Sequence, residues 1–278
     1  YNQDLFVVEC DADRPGEGKF LAKLLKPEVT LWISSSRTHS MNFDKLVPAT
    51  FKNVEDAIAY EFGYFIENTL KLVLINSDSE LEKNQVKRVK SEIKEIKIKD
   101  LDEYKISREG TAFTIKDKVI KFRELLPREI YYSIEMTRLL CEYLEIEFNP
   151  NFPNLEFPAA RSSLFRGVKN ITIIDSTYNA NLSSMAAILN MFKEFPANAK
   201  WAVIGDMLEQ GKVEKEEHER LAELLIELNL ERIVFLGPRV KKYTYPMIEK
   251  KLEGKIPIAV FENPKEVLEY LEEHIKGK

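Results

Sequence analysis

Ile171-Thr172-Ile173-Ile174-Asp175-Ser176-Thr177-Tyr178-Asn179-Ala180-Asn181 decides the fold class. An apolar β-type run over 171–174 ends in a polar loop, and a helical pattern over 183–194 follows. Downstream the rhythm repeats. Strands are expected at 201–204, 233–236 and 258–261, and helices at 214–228, 241–252 and 264–275. Leu221, Leu224, Leu225 and Leu228 share one side of the 214–228 helix. Strands alternating with helices in this way predict a small Rossmann-like α/β domain.

Upstream, residues 5–8 (Leu-Phe-Val-Val) read as a short strand. A loop with Asp11, Asp13 and Arg14 follows, and Pro15 suits the opening of a helix because its φ is already helical. Phe20, Leu21, Leu24 and Leu25 are the expected apolar face of that helix. A strand at 29–33 would complete a βαβ unit with parallel strands. Further along, a helix is expected at 54–67, and a buried strand at 72–75 ending in Asn76-Ser77-Asp78. A charged helix follows at 80–92, and a half-exposed strand at 94–99. Residues 104–124 read as antiparallel strands around a turn near Glu109-Gly110, and 128–145 as a helix. The breaker-rich Asn149-Pro150-Asn151-Phe152-Pro153-Asn154 sets the expected domain boundary, giving domains 1–157 and 158–278.

Composition bounds the function. The chain has 278 residues, 44% apolar and 31% charged, ample for folded cores. Its longest apolar runs, such as LVLI and ITII, fall far short of the ~20 residues of a membrane span. A net charge of -5 does not favour a nucleic-acid partner. Two cysteines, Cys10 and Cys141, exclude a disulfide framework and a cysteine-rich zinc site, and fit a reducing, cytoplasmic setting. No signal-peptide pattern is present, and the chain opens Tyr1-Asn2-Gln3 without a Met.

The familiar catalytic patterns GxxxxGK[ST], GxGxxG, HExxH and GxSxG are absent. Gly16-Glu17-Gly18-Lys19-Phe20 mimics a phosphate loop, but Lys19 is followed by Phe20, and Asp13 stands where the first glycine belongs. Polar clusters at strand ends remain, where open α/β sheets bind ligands. Glu9, Asp11 and Asp13 follow the first expected strand and His39 the second. Carboxylates and an imidazole there would suit a divalent ion; loop solvation with Asp13 as a helix cap is the alternative. The 175–181 stretch is either a binding loop or a capped helix start, since Ser, Thr and Asn all favour N-caps. Gly205-Asp206-Met207-Leu208-Glu209 follows its strand in the same manner. His218, on a charged helix, reads as a surface or capping residue.

These stretches carry a resemblance. Arg161-Ser162-Ser163 … Asp175-Ser176-Thr177-Tyr178-Asn179-Ala180-Asn181 … Ser184-Met185 resembles the GR…DDSYNAN..SM motif of the Mur ligases. Gly205-Asp206-Met207-Leu208-Glu209-Gln210-Gly211 … His218 resembles their GDMLELG…H. Glu9-Cys10-Asp11-Ala12-Asp13-Arg14-Pro15-Gly16-Glu17 is similar to ELGANxPGE, Arg37-Thr38-His39-Ser40-Met41-Asn42-Phe43 to AHLEGF, and Ile75-Asn76-Ser77-Asp78 to INAD. The resemblance runs from about residue 5 to 275.

The resemblance implies an incomplete central ATPase domain followed by a Rossmann-like C-terminal domain, with a mostly parallel sheet and a small antiparallel section. It implies an ATP-dependent amide ligase of peptidoglycan precursor synthesis that works through an acyl phosphate in the cytoplasm. ATP and Mg2+ would be its cofactors. Nucleotide and peptide-type small molecules would be its partners, with no nucleic acid and no membrane span, and the protein would be a monomer. Glu9 and His39 would be magnesium ligands. Asn76 and Asp78 would lie near the nucleotide, and Arg161 would approach the phosphates. Asp175, Ser176, Tyr178, Asn179, Asn181 and Asp206 would bind nucleotide or the incoming dipeptide. Glu61 takes the place of a lysine carbamoylated in many members, so its carboxylate would serve as the metal-side catalytic group.

Departures accompany the likeness. The family's phosphate loop would lie upstream of Leu5, and its KGS motif after Lys278. Its GxHN…N helix start reads Pro127-Arg128-Glu129-Ile130 … Ser133, and the second aspartate of DDSYNAN is Ser176. Two readings of function follow: a ligase, or a ligase-derived binding or scaffold protein without ATP chemistry. A related amino-acid-adding ligase with another substrate is a variant of the first.

Overall fold

A computed structural model describes residues 4–35, 37, 39–152, 155 and 157–275. Tyr1-Asn2-Gln3, Thr38 and Pro153-Asn154 of the stretches quoted above lie outside the described residues. The chain forms two compact units, Tyr1–Lys97 and Ile98–Lys278. The boundary expected at 157/158 falls inside the second.

The first unit contains α1 (Glu17–Leu25), β1 (Val29–Trp32), α2 (Val54–Glu67), β2 (Leu72–Asn76), α3 (Glu80–Lys83) and β3 (Glu92–Ile96). The strands make a parallel sheet in the order β1-β2-β3. β2 is central and buried along its whole length, which is why its sequence is a continuous apolar run rather than an alternating one. Val73 and Ile75 pack with Trp32 and Ile66, while Phe43, Val54, Ala57 and Ile58 form a second cluster. Asn53 starts α2 by accepting the Asp56 N–H.

Three local expectations are corrected here. Residues 5–8 form no strand; Phe6 and Val7 are 79% and 76% exposed. A strand exists only through ladder partners, and among the described residues none pairs with this segment. In α1 the buried positions are Gly18 and Ala22, while Phe20 and Leu24 face outward. A Cβ on Gly18 would stand 2.4 Å from the Glu61 carbonyl oxygen, so α1 sits on α2 through its small residues. The bulkier pair, about 200° away on the helix, is turned out. The expected 80–92 helix ends after Lys83, followed only by a 3-10 turn at Val86–Arg88. There the Arg88 guanidinium lies 4.5 Å from both Tyr60 and Tyr64 and bonds Glu67 and the Tyr60 carbonyl, which anchors the chain to α2.

In the second unit β4 (Glu103–Ser107), β5 (Gly110–Ile115) and β6 (Lys118–Phe122) form the expected antiparallel sheet, and α4 spans Ile130–Tyr143. β7 (Ser163–Arg166) and β8 (Thr172–Asp175) follow, then α5 (Leu182–Glu194), β9 (Trp201–Gly205) and α6 (Glu214–Ile226). The chain continues with β10 (Arg232–Leu236), α7 (Tyr245–Leu252), β11 (Ile258–Phe261) and α8 (Pro264–His274). β9, β10 and β11 are parallel, in the order β11-β10-β9. Their core joins Leu189, Ile204, Leu221, Leu225, Ile233 and Phe235. β8 forms where expected but pairs antiparallel with β7 instead of joining the parallel sheet, because β7 offers a partner only a short turn away. Leu125 packs with Met191 and Phe195 of the α5 region, so residues ahead of 158 share a core with those after it.

Candidate functional site

The first unit places its polar groups at the ends of strands. Asp11, Asp13 and His39 each offer one ligand atom, all within 4.8 Å of one another, and Glu9 is not in this group. The His39 Nε2 lies 3.4 Å from Asp13 Oδ1. His39 adopts a positive φ of 52°, uncommon for a residue with a side chain. Asn42 Nδ2 donates to the Asp13 carbonyl at 2.8 Å, tying the two loops together. Two carboxylates and an imidazole are a donor set suited to a divalent cation such as Mg2+ or Mn2+.

Glu61 is placed otherwise. Its carboxylate is buried and accepts the backbone N–H groups of Gly16 and Lys19, at 2.9 and 3.4 Å. These are orphan donors at the N-terminus of α1, where negative charge is favoured by unpaired N–H groups and the helix dipole. Asn76 is likewise a tie within the fold. Its Nδ2 donates to the Ile33 carbonyl and its Oδ1 accepts the Asp78 N–H, both at 3.0 Å. Asp78 itself is exposed.

Two buried ionisable side chains hold the segment between β1 and His39. Arg37 bonds Glu55 at 2.7 Å, and among the described residues its Nε and second terminal nitrogen have no hydrogen-bond partner. Glu82 accepts the Ser35 N–H, its other oxygen has no hydrogen-bond partner among the described residues, and burial pushes its carboxyl above the usual range.

The second unit contains the 160–181 segment. Arg161 stacks on Tyr178, 4.1 Å from guanidinium carbon to ring centre, and both are exposed. Asp175 accepts from the Thr177 N–H and hydroxyl, a local turn. Asn179 accepts the Ala180 N–H. Asn181 caps α5 in a reciprocal box with Ser184. Asp206, at the end of β9, accepts the Arg239 and Val240 N–H groups at 3.0 and 2.8 Å, and pairs with the Arg239 guanidinium. Arg239 also bonds Glu214 at 2.6 Å, and these pairs hold its proton more tightly than usual.

Residues 160–278 match the family described as Mur ligase, glutamate ligase domain. Residues 160–278 are a Mur ligase C-terminal domain. Among curated relatives, the UDP-N-acetylmuramoyl-tripeptide--D-alanyl-D-alanine ligase of Rickettsia prowazekii is 23% identical over 95% of this chain and 60% of its own length. The protein of the same name from Borreliella burgdorferi is 24% identical over 85% of this chain and 51% of its own. The chain thus spans little more than half the length of these relatives. Solved structures share the fold. MurF from Acinetobacter baumannii superposes with a TM-score of 0.76 at 18% identity, over 94% of this chain and 56% of that one. The MurF ligase from Thermotoga maritima, solved with ADP, gives 0.73 at 19%, over 96% and 60%.

Within this Mur ligase C-terminal domain the GDMLE…H stretch is built differently from its sequence reading. His218 is fully buried and bonded through both ring nitrogens, which corrects its expected surface position. The signal was present in the spacing, because 218, 221, 222 and 225 form one helical stripe and all are buried. Asp206, read as a binding residue, caps the turn before α7. A Cβ on Gly237 would meet its carboxylate at 2.6 Å, so a glycine is required beside it.

Proposed function

We propose that this chain supplies the central and C-terminal parts of an ATP-dependent amide ligase. Its reaction would join D-alanyl-D-alanine to a UDP-muramoyl-tripeptide in peptidoglycan precursor synthesis. The observation that carries this is the match along nearly the whole chain to ligases of that name, with the Mur ligase domain over 160–278. In the reaction the substrate carboxylate attacks the terminal phosphoryl group of ATP and ADP leaves. The amine of the dipeptide then attacks the acyl phosphate, and inorganic phosphate leaves. Arg161, held against Tyr178, is an exposed cation suited to phosphoryl oxygens. Asp175, Ser176, Tyr178 and Asn179 are the proposed lining for nucleotide or dipeptide, with Asn76 and Asp78 toward the nucleotide. His39 is the proposed imidazole ligand to Mg2+, with Asp11 and Asp13 as its nearest carboxylates and Glu9 close by in sequence. A bound divalent ion supplies compensation for phosphoryl charge.

The proposed domains are 1–157, ATPase-type, and 158–278. The proposed setting is the cytoplasm, with a monomeric protein and no nucleic-acid partner. Among the described residues no helix is long and apolar enough to cross a membrane. A second reading, a binding or scaffold protein without ATP chemistry, is favoured by one observation: Glu61, Asn181 and Asp206 are engaged within the fold. The test measures ADP release by the full-length protein with UDP-muramoyl-tripeptide and D-alanyl-D-alanine. Turnover that requires both substrates supports the ligase. No turnover together with no nucleotide binding by calorimetry establishes the second reading.

A further inference from the structure

His218 is fully buried, and its two ring nitrogens face groups of fixed character. Nδ1 lies 2.7 Å from the Glu214 carbonyl oxygen, which can only accept, so Nδ1 carries a proton. Nε2 lies 3.2 Å from the Met207 backbone nitrogen, which can only donate, so Nε2 offers a lone pair. The surroundings therefore select the neutral Nδ1–H tautomer. A second proton on the ring would set N–H against N–H and leave the buried Met207 amide without an acceptor.

The contact sits in the loop after β9. Before it, the Asp206 carboxylate is clasped by the 239–240 N–H groups and the Arg239 guanidinium. At it, the Met207 side chain is fully buried. After it, Leu208 is 57% exposed and Glu209 takes a positive φ of 59°. The charged and titratable groups around the ring come from each neighbouring segment. Asp206 lies in the loop. Glu214, paired with Arg239, and Glu217, paired with Arg220, lie on α6. Tyr243, 6.0 Å from the ring, and Lys242 lie on the turn before α7. The Asp206 and Glu214 pairs with Arg239 do not need the imidazole, so they persist when it is protonated.

We infer that His218 is the positioning residue of the 206–210 loop, a latch that holds Met207 while neutral and releases it when protonated. The latch lies wholly within the second unit and stands on its own geometry. Its effect on ligation rests on the function proposed above.

Long-range proton–nitrogen NMR of the imidazole reads the tautomer, and hydrogen exchange of the Met207 amide reads the latch. Both are followed on the chain as the pH is lowered, with the ring's own signals reporting its charge. The expected result is an Nδ1–H neutral ring and a Met207 protection factor that falls about tenfold or more as the ring charges, the loss of one hydrogen bond. His218→Gln, whose side-chain oxygen can accept the Met207 N–H, is expected to keep protection without pH dependence; His218→Leu is expected to lack it throughout. An Nε2–H ring, or protection indifferent to the charge of His218 in the wild-type chain, overturns the proposal. That titration decides the matter even where a variant fails to fold. Latch behaviour without ADP release would break the ligase reading alone, and ligation without the latch would break this one alone.

Discussion

The two units use the same residue types at strand ends to different ends. In the second unit Asn181, Asp206 and His218 are spent on backbone groups: a helix cap, a turn clasp and a loop latch. In the first, Asp11, Asp13 and His39 lie together with both carboxylates exposed; Asp11 accepts only the adjacent Ala12 N–H, and His39 precedes the 3-10 turn Ser40–Leu46. Glu61, which caps α1, and Asn76, which ties Ile33 to Asp78, behave in the first unit as those groups do in the second. A polar cluster in a sequence thus divides according to whether unpaired backbone N–H groups lie within its reach. Where they do, a carboxylate or amide stabilises the fold.

Substitutions can break or sharpen this contrast. The largest effect is expected from Asp206→Ala, which strips two N–H groups of their acceptor and Arg239 of a partner. A stability loss of about 3 kcal/mol should appear in urea unfolding. A loss below 0.5 kcal/mol, with weakened nucleotide binding, would move Asp206 back to the ligand side of the comparison. Glu61→Ala should cost about 1.5 kcal/mol through its two helix donors and leave divalent-ion affinity unchanged in calorimetry. If the ion's affinity drops instead, Glu61 belongs with the metal group. Asn181→Ala should cost about 1 kcal/mol as a lost cap, and thermal unfolding measures it.

Glu82→Gln probes the first unit by pH. Burial raises the Glu82 carboxyl, so its contribution is fully present below the unfolded value of about 4.3 and is lost as pH rises through the folded value. Wild type should therefore lose stability relative to Glu82→Gln as pH is raised from about 4 toward neutrality; parallel melting curves at every pH would refute this. The smallest stability effect is expected from Asp13→Asn, within about 0.5 kcal/mol of wild type, as for surface changes generally. Calorimetric Mn2+ affinity should nonetheless fall about tenfold or more through loss of a ligand charge. Equal affinity would remove the ligand role assigned to the first unit's cluster.

Much of the architecture was legible in periodicity. α2, β2, α5, β9, α6, β10, β11 and α8 lie within a residue or two of their expected spans. The helices among them carry apolar residues at helical spacing and β2 is a continuous apolar run, and both are local information. What failed was non-local. Residues 5–8 have the composition of a strand but no ladder partner among the described residues. The 80–92 helix is cut short by the grip of α2 on Arg88. α1 turns Gly18 and Ala22 inward because Glu61 approaches too closely for a larger residue. The candidate site divides the same way. The polar stretches at 9–17, 175–181 and 205–209 were visible as patterns, and so was their Mur ligase resemblance.

The sequence by itself determined which segments are helix or strand, the α/β class and the family likeness, because propensity, periodicity and motif spacing are properties of neighbours along the chain. Only the tertiary structure decided the fate of each polar residue. It made Glu61 a cap, Asp206 a clasp and His218 a buried latch, while gathering Asp11, Asp13 and His39. The reason is that a hydrogen bond requires donor and acceptor within about 3 Å, and whether a backbone N–H lies that close is set by contacts between distant segments.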